Sequence, residues 1–169
     1  CCLAARRPQR SRSSKLKPEQ CSDPVQVRKT AMDYLARREY GVQEITRKLN
    51  DRGFDADVVE AAVAELIADG LLSDSRFTEA FIHSRLKRGS GPQKILAELR
   101  QRGIPEELVS LGMEAVDDEW RERVREVREK KFGTAMPADF KERNRQMRFL
   151  QQRGFTHEQI YSVFKDDGF

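Results

Sequence analysis

The sequence predicts an all-α protein, three tandem three-helix repeats forming an elongated, curved array, on three observations. The first is a repeated motif: LNDRGF begins at Leu49, LRQRGI at Leu99 and LQQRGF at Leu150, a Leu-x-x-Arg-Gly-apolar pattern at offsets of 50 and 51 residues. Self-similarity at such a period marks a repeat architecture. The second is the stretch after each motif, where Val58, Val59, Ala62 and Val63, then Leu108, Val109, Gly112 and Met113, then Ile160, Val163 and Phe164 put one apolar stripe on a helix. The third is that no segment alternates with the period of a strand. Units of about 45 residues are each too small to bury a full core and are expected to stack on their neighbours.

The elements follow in order. In the first repeat Val27, Ala31, Tyr34 and Leu35 line one helix, Val42, Ile45 and Leu49 a second, and Val58 to Ile67 a third. Gly53, Gly103 and Gly154 each stand where a helix C-terminus turns left-handed and favours a residue without Cβ. Asp55 is placed to cap the third helix with Phe54 stapled to Val59, and Thr156 with Gln159 forms a capping box with Phe155 stapled to Ile160. Pro105 takes the cap position in the second repeat and has no side-chain acceptor, so that helix should start differently. GLLSDSRF, Gly70 to Phe77, reads as a helix end, a Leu pair and a new cap at Ser73 or Asp74. The first helix of the second repeat carries Phe77, Ala80, Phe81 and Ile82, and that of the third Trp120, Val124 and Val127. A lengthened turn from Gly133 to Pro137 then leads to a helix marked by Phe140, Met147 and Leu150. The expected organisation is a basic arm over 1–24, without periodicity and read as disordered, and repeats over 25–72, 73–116 and 117–169.

Composition narrows the function classes. The chain has 169 residues, 36% charged and 38% hydrophobic, with a mean hydropathy of −0.75, which leaves no room for a membrane span of about 20 apolar residues. Arg6 and Arg7 interrupt the start too early for a secretory signal. All three cysteines, Cys1, Cys2 and Cys21, lie in the arm, and the only histidines, His83 and His157, are isolated, so neither a disulfide framework nor a zinc site is expected. A reduced, cytoplasmic, monomeric protein without cofactor or metal is the expectation. Asp117, Asp118 and Glu119 read as acids favoured in the first turn of a helix. No nucleophile, base and orienting acid converge in a catalytic pattern, so an enzyme is not expected.

The net charge of +4 divides unevenly. Cys1 to Thr30 carries eight basic and two acidic residues, and the remainder is slightly acidic. Within the body the sign alternates: Asp51 to Glu79 has eight acids against two bases, Arg85 to Arg102 six bases against one acid, and Glu106 to Glu119 six acids and no base. Arg121 to Lys131 has six bases against three acids, and Lys141 to Arg153 five against one. Stacked in register, such units present basic stripes on the second helices and adjoining turns and acidic ones on the third helices, a pattern suited to a composite of protein and nucleic acid. The competing reading is that dense ion pairs, such as those of Glu122, Glu126, Arg125 and Arg128, merely keep long helices solvated. RGSGP, Arg88 to Pro92, could present free N–H groups to a phosphate at a helix start; Gly41 at the same offset makes a turn requirement sufficient.

The runs AMDYLARREYGVQEITRKLNDRGF, GLLSDSRFTEAFIHSRLKRGSGPQKILAELRQRGI, FGTAMPADF and RFLQQRGF, in this order and spacing, resemble the RecX family of bacterial regulators of the recombinase RecA. The resemblance covers Val25 to the C-terminus and leaves the arm outside it. Ser90 departs from the aromatic residue associated with its place in that family. The resemblance implies a non-enzymatic regulator lying in the groove of a RecA filament on single-stranded DNA, with possible direct DNA contact, that limits filament growth, ATP turnover, strand exchange and co-protease function and so regulates DNA repair and the SOS response. The candidate contact residues are Arg85, Lys87, Arg88, Lys94, Arg100, Arg102, Arg145 and Arg148. Two rival classes stand beside this reading. A helix-turn-helix module would put the third helices in the major groove, where Glu60, Glu65, Asp69, Glu106, Glu107 and Glu114 would be repelled by phosphate; a general helical scaffold acting without RecA is the other.

Overall fold

The computed structural model describes residues 21–165, which form nine α-helices and one 3-10 turn with no strand among them. The first unit holds α1 (Pro24–Leu35), α2 (Val42–Asp51) and α3 (Ala56–Ala68). The second holds α4 (Asp74–Lys87), α5 (Pro92–Gln101) and α6 (Glu106–Glu114). The third opens with the 3-10 turn Asp117–Glu119 and continues with α7 (Trp120–Phe132), α8 (Phe140–Gln152) and α9 (His157–Lys165). In each unit the first and third helices pack most extensively on each other and the middle helix leans on both. No helix among the described residues is long and apolar enough to cross a membrane. The disorder expected of the arm concerns residues that, before Cys21, lie outside the described ones.

The repeated motif is the signature of one turn. Gly53, Gly103 and Gly154 have φ of 97°, 70° and 91°. Their N–H groups donate to the carbonyl oxygens of Asn50, Arg100 and Gln151 at 2.9 Å each, and the N–H groups of Phe54, Ile104 and Phe155 donate to Leu49, Leu99 and Leu150 at 3.4, 3.3 and 3.2 Å. This double closure is a Schellman motif, in which the residue after the glycine meets the one five positions earlier. It explains why both ends of the Leu-x-x-Arg-Gly-apolar pattern are hydrophobic: Leu49, Leu99 and Leu150 are fully buried, and Phe54, Ile104 and Phe155 nearly so.

The caps divide into predicted and altered ones. Thr156 Oγ1 accepts from Gln159 N–H at 3.2 Å while Gln159 Oε1 accepts from Thr156 N–H at 3.0 Å, the reciprocal box read from sequence, with Phe155 and Ile160 buried beside it. Ser73 caps α4 by accepting from Arg76 N–H at 3.3 Å, and Asp139 caps α8 by accepting from Glu142 N–H at 2.7 Å. Asp55 stands at the N-cap of α3, but its carboxylate accepts from the Ser22 hydroxyl and caps no helical N–H. Phe140, expected on the apolar face of α8, is 79% exposed. The cause is length: α8 has 13 residues where α2 and α5 have 10, and its added N-terminal turn projects past the core.

One core, from Val27 to Leu72, belongs to the first unit alone. A second runs continuously through the other two, from Phe77, Ile82 and Ile95 to Trp120, Leu150 and Phe164. Each junction places the start of a middle helix on the Arg-Gly-apolar turn of the next unit. At the first, Gly41 faces Ile104, Asp74 and Phe77, and Gln43 lies against Gly103. Asp74 also accepts from Val42 N–H at 2.8 Å, supplying across the junction the cap that Gly41 cannot. At the second, Gly91 N–H donates to Arg153 O at 2.7 Å and Gln93 N–H to Gly154 O at 3.0 Å. Arg153 Nη1 donates in return to Arg88 O at 3.0 Å. The N–H groups considered for a phosphate are therefore occupied by protein, and that reading of RGSGP is corrected.

Gly91 has an ordinary φ of −83°, yet a Cβ there would stand 2.3 Å from the backbone of Gly154 and Phe155, whereas one on Gly41 would meet only side chains, the nearest at 3.2 Å. Gly91→Ala should therefore lower unfolding stability by about 1–3 kcal/mol, the usual cost of overpacking. Gly41→Ala should cost less. Urea denaturation of both variants measures the difference; equal losses would deny the close approach.

Candidate functional site

The continuous second core brings α4, α7 and the end of α8 together beneath an open cleft of about 350 Å³. Its walls carry Lys87, Arg88, Arg123, Lys130, Lys131 and Arg153, with Glu126 the only carboxylate among the lining residues. The floor is apolar, from Leu86, Val127 and Phe149. Gly89 lets α7 approach: its φ is 72°, and a Cβ on it would lie 2.9 Å from Val127.

The cations are not equivalent. Arg123 bonds Glu119 at 3.0 Å and Glu126 at 3.1 Å, so the cleft's one carboxylate is already engaged within α7. Arg153 is turned toward Arg88 O and lies 5.2 Å from the Phe149 ring centroid. Lys87, Arg88, Lys130 and Lys131 are exposed. Converging exposed cations over an apolar floor attract polyanions by Coulomb forces that mobile salt screens.

The eight candidates read from sequence are dispersed. Lys87 and Arg88 enter the cleft. Lys94 is exposed beside it, its Cβ pressed toward Gly154. Arg85 and Arg102 are turned inward: their guanidinium carbons lie 4.6 and 4.7 Å from the Phe81 centroid, Arg85 pairs with Glu98 at 2.6 Å, and Arg102 donates to Glu98 O at 2.8 Å. Arg100 forks onto Glu106 through bonds of 3.0 and 2.5 Å, which raises the Arg100 pKa and holds the Glu106 carboxyl below its ordinary range. Arg145 bonds Glu142 at 3.2 Å, and Arg148 is exposed on α8, away from the cleft lining.

Lys130, Lys131 and Arg153 were legible only as parts of basic segments, because the cleft joins Arg88 to a residue 65 positions further along the chain. Arg128 departs furthest from expectation. Read as a solvating charge on α7, it is 1% exposed, donating from Nε to Gln146 Oε1 at 3.0 Å and from Nη2 to Ala135 O at 2.5 Å. It thereby ties α7 to α8 and to the lengthened turn. No group of three or more potential metal ligands occurs among the described residues.

Three family models match in chain order: the first three-helix domain of RecX over residues 28–66, the second over 73–112 and the third over 117–164. The chain belongs to the RecX family. The Regulatory protein RecX of Pseudomonas syringae pv. tomato is 43% identical over 151 residues, which cover 89% of this chain and 97% of the relative. That of Halorhodospira halophila is 43% identical over 134 residues, 79% of this chain and 83% of the relative. The crystal structure of RecX from Lactobacillus salivarius superimposes with a TM-score of 0.72 at 18% identity, covering 85% of this chain and 95% of its own, and a second RecX crystal structure does so at 0.71 and 20%, covering 85% and 72%. These structures share the fold. The cleft of this RecX chain lies between its second and third family domains.

The Arg100–Glu106 fork makes a direct test of which cations are engaged within a unit. Arg100→Gln should return the Glu106 carboxyl toward the ordinary glutamate range, read as an upward shift in its NMR titration midpoint. An unmoved midpoint would show that the fork does not form in solution.

Proposed function

We propose that this chain binds the filament that RecA forms on single-stranded DNA and restrains it, limiting filament extension, ATP hydrolysis, strand exchange and co-protease function. Through these it would regulate recombinational repair and the SOS response, acting as a monomer in the bacterial cytoplasm. Membership of a family of regulatory proteins supports this reading, and so does the cleft, where Lys87, Arg88, Lys130 and Lys131 converge with Arg153. The linear array supports it too, since consecutive units along a filament groove can meet alternating protein and phosphate surfaces.

The distribution of acids favours this over duplex reading by the third helices. Glu60, Glu65 and Asp69 on α3 and its C-terminal cap, and Glu106, Glu107 and Glu114 on α6, are exposed. Phosphate would be repelled from the helices that a helix-turn-helix module inserts. The candidates Arg85, Arg100, Arg102 and Arg145 contribute to the reading as residues that hold units in shape, and Lys87, Arg88 and Lys94 as those nearest the partner, with Arg148 on a separate exposed face.

Stoichiometric addition of the protein to RecA-coated single-stranded DNA should lower the rate of ATP hydrolysis, an effect that weakens as salt rises. The combined variant Lys130→Glu and Lys131→Glu should lose most of it. Unchanged hydrolysis with the wild-type chain would refute the filament reading.

A further inference from the structure

The two junctions are built alike but charged differently. Arg38, Glu39 and Glu44 at the first junction correspond, at an offset of 50 residues, to Arg88, Gly89 and Lys94 at the second. Gly41 and Gly91, in the same register, both seat the middle helix on the next unit's turn, so the correspondence holds in space as well as in sequence.

At the first junction the acids are engaged. Arg38 Nη2 donates to Glu44 Oε1 at 2.6 Å and its Nη1 to Glu44 Oε2 at 3.3 Å, with the guanidinium carbon 3.7 Å from the Tyr40 centroid. Glu39 reaches across the junction to accept from Arg76 Nε at 3.1 Å. Glu44 also lines a groove of about 580 Å³ along α2, with Arg47, Arg102 and the carboxamides of Gln43, Asn50 and Gln101, which lies on a different side of the junction from the cleft's counterpart. At the second junction no carboxylate stands at either corresponding position. Gly89 has no side chain to meet the cations of the third unit, and Lys94 adds charge where Glu44 removes it.

We propose that the first junction is a self-neutralised counterpart of the cleft: Glu44 holds Arg38, the counterpart of the cleft's Arg88, and Glu39 holds Arg76, so that cations open to a phosphodiester backbone at the second junction are answered internally at the first. This rests on reading the cleft as a phosphate-binding surface. The two glutamates act as internal anion mimics. They confine polyanion binding to the boundary between the second and third units and give the array a polarity along a strand. Two isosteric changes should open the silent junction, and one acid should close the active one.

The test uses the full chain and a fluorescent oligothymidylate without recombinase, followed by anisotropy across a salt series. The double variant Glu39→Gln, Glu44→Gln should bind the strand at least about threefold tighter at low salt, with a log K against log salt slope steeper by up to about 1.4, from two further cations at about 0.7 each. Lys94→Glu, which restores the acid of the first junction to the second, should weaken binding, as should Lys130→Glu with Lys131→Glu. Misfolding would not produce a gain, and circular dichroism checks that each losing variant retains its helices. If the glutamine variant gains nothing while the lysine variants lose affinity, the silencing is wrong and the cleft reading stands. If none of the variants changes binding, both fail. Displacement of the strand by polyglutamate at equal total charge would overturn the assignment to phosphodiester.

Discussion

A middle helix that ends in a left-handed glycine lets a second unit dock on its turn, and the array depends on that contact. The turn closes its own helix by the Schellman pair of hydrogen bonds, and its glycine leaves the outer side open. At Gly103 and Gly154 that side is filled by the preceding unit, through Gln43 and Lys94. At Gly53, in the first described unit, a Cβ would find nothing within 4 Å. The same residue thus meets a purely conformational demand in the first described unit and a steric one as well in the second and third. The partner surface of the contact is a helix start at Gly41 or Gly91, where a side chain would intrude.

The third unit lacks the docking surface that the first two present. Its middle helix, α8, is three residues longer than α2 and α5, and the extra turn lies at its start, where the other two present a bare glycine. Counting back from the turn glycine, Glu142 stands where Gly41 and Gly91 stand in the other units. A further turn could not approach its backbone as Gly154 approaches Gly91. Arg128 fixes the long turn through Ala135 O and α8 through Gln146, so the irregular segment is held by a buried guanidinium with its hydrogen bonds directed to neutral groups.

Much of this fold was legible in the sequence because its governing signals are local. The glycines, the Thr156–Gln159 box and the Ser73 cap each act within a few residues, and the period repeats the glycine turn along the chain. Asp55 reads as a backbone cap because its competitor, Ser22, is 33 positions away and reaches it only through packing. The site was less legible for the same reason. Lys87 and Arg88 lie in one basic segment, but Lys130, Lys131 and Arg153 join them only through packing on the shared core. Arg85 and Arg102 share that segment and are turned onto Phe81 instead. Net charge over a segment therefore locates a basic surface without telling which cations face outward.

Backbone hydrogen bonds between units close the second junction, and amide hydrogen exchange of Gly91 and Gln93 tests this most directly. These amides stand at a helix start, where N–H groups lack intrahelical partners and ordinarily exchange fast. Engaged across the junction, both should be protected to a degree comparable with Leu99 within α5. Exchange at the rate of a solvent-exposed helix end would contradict the docking of one unit on the next.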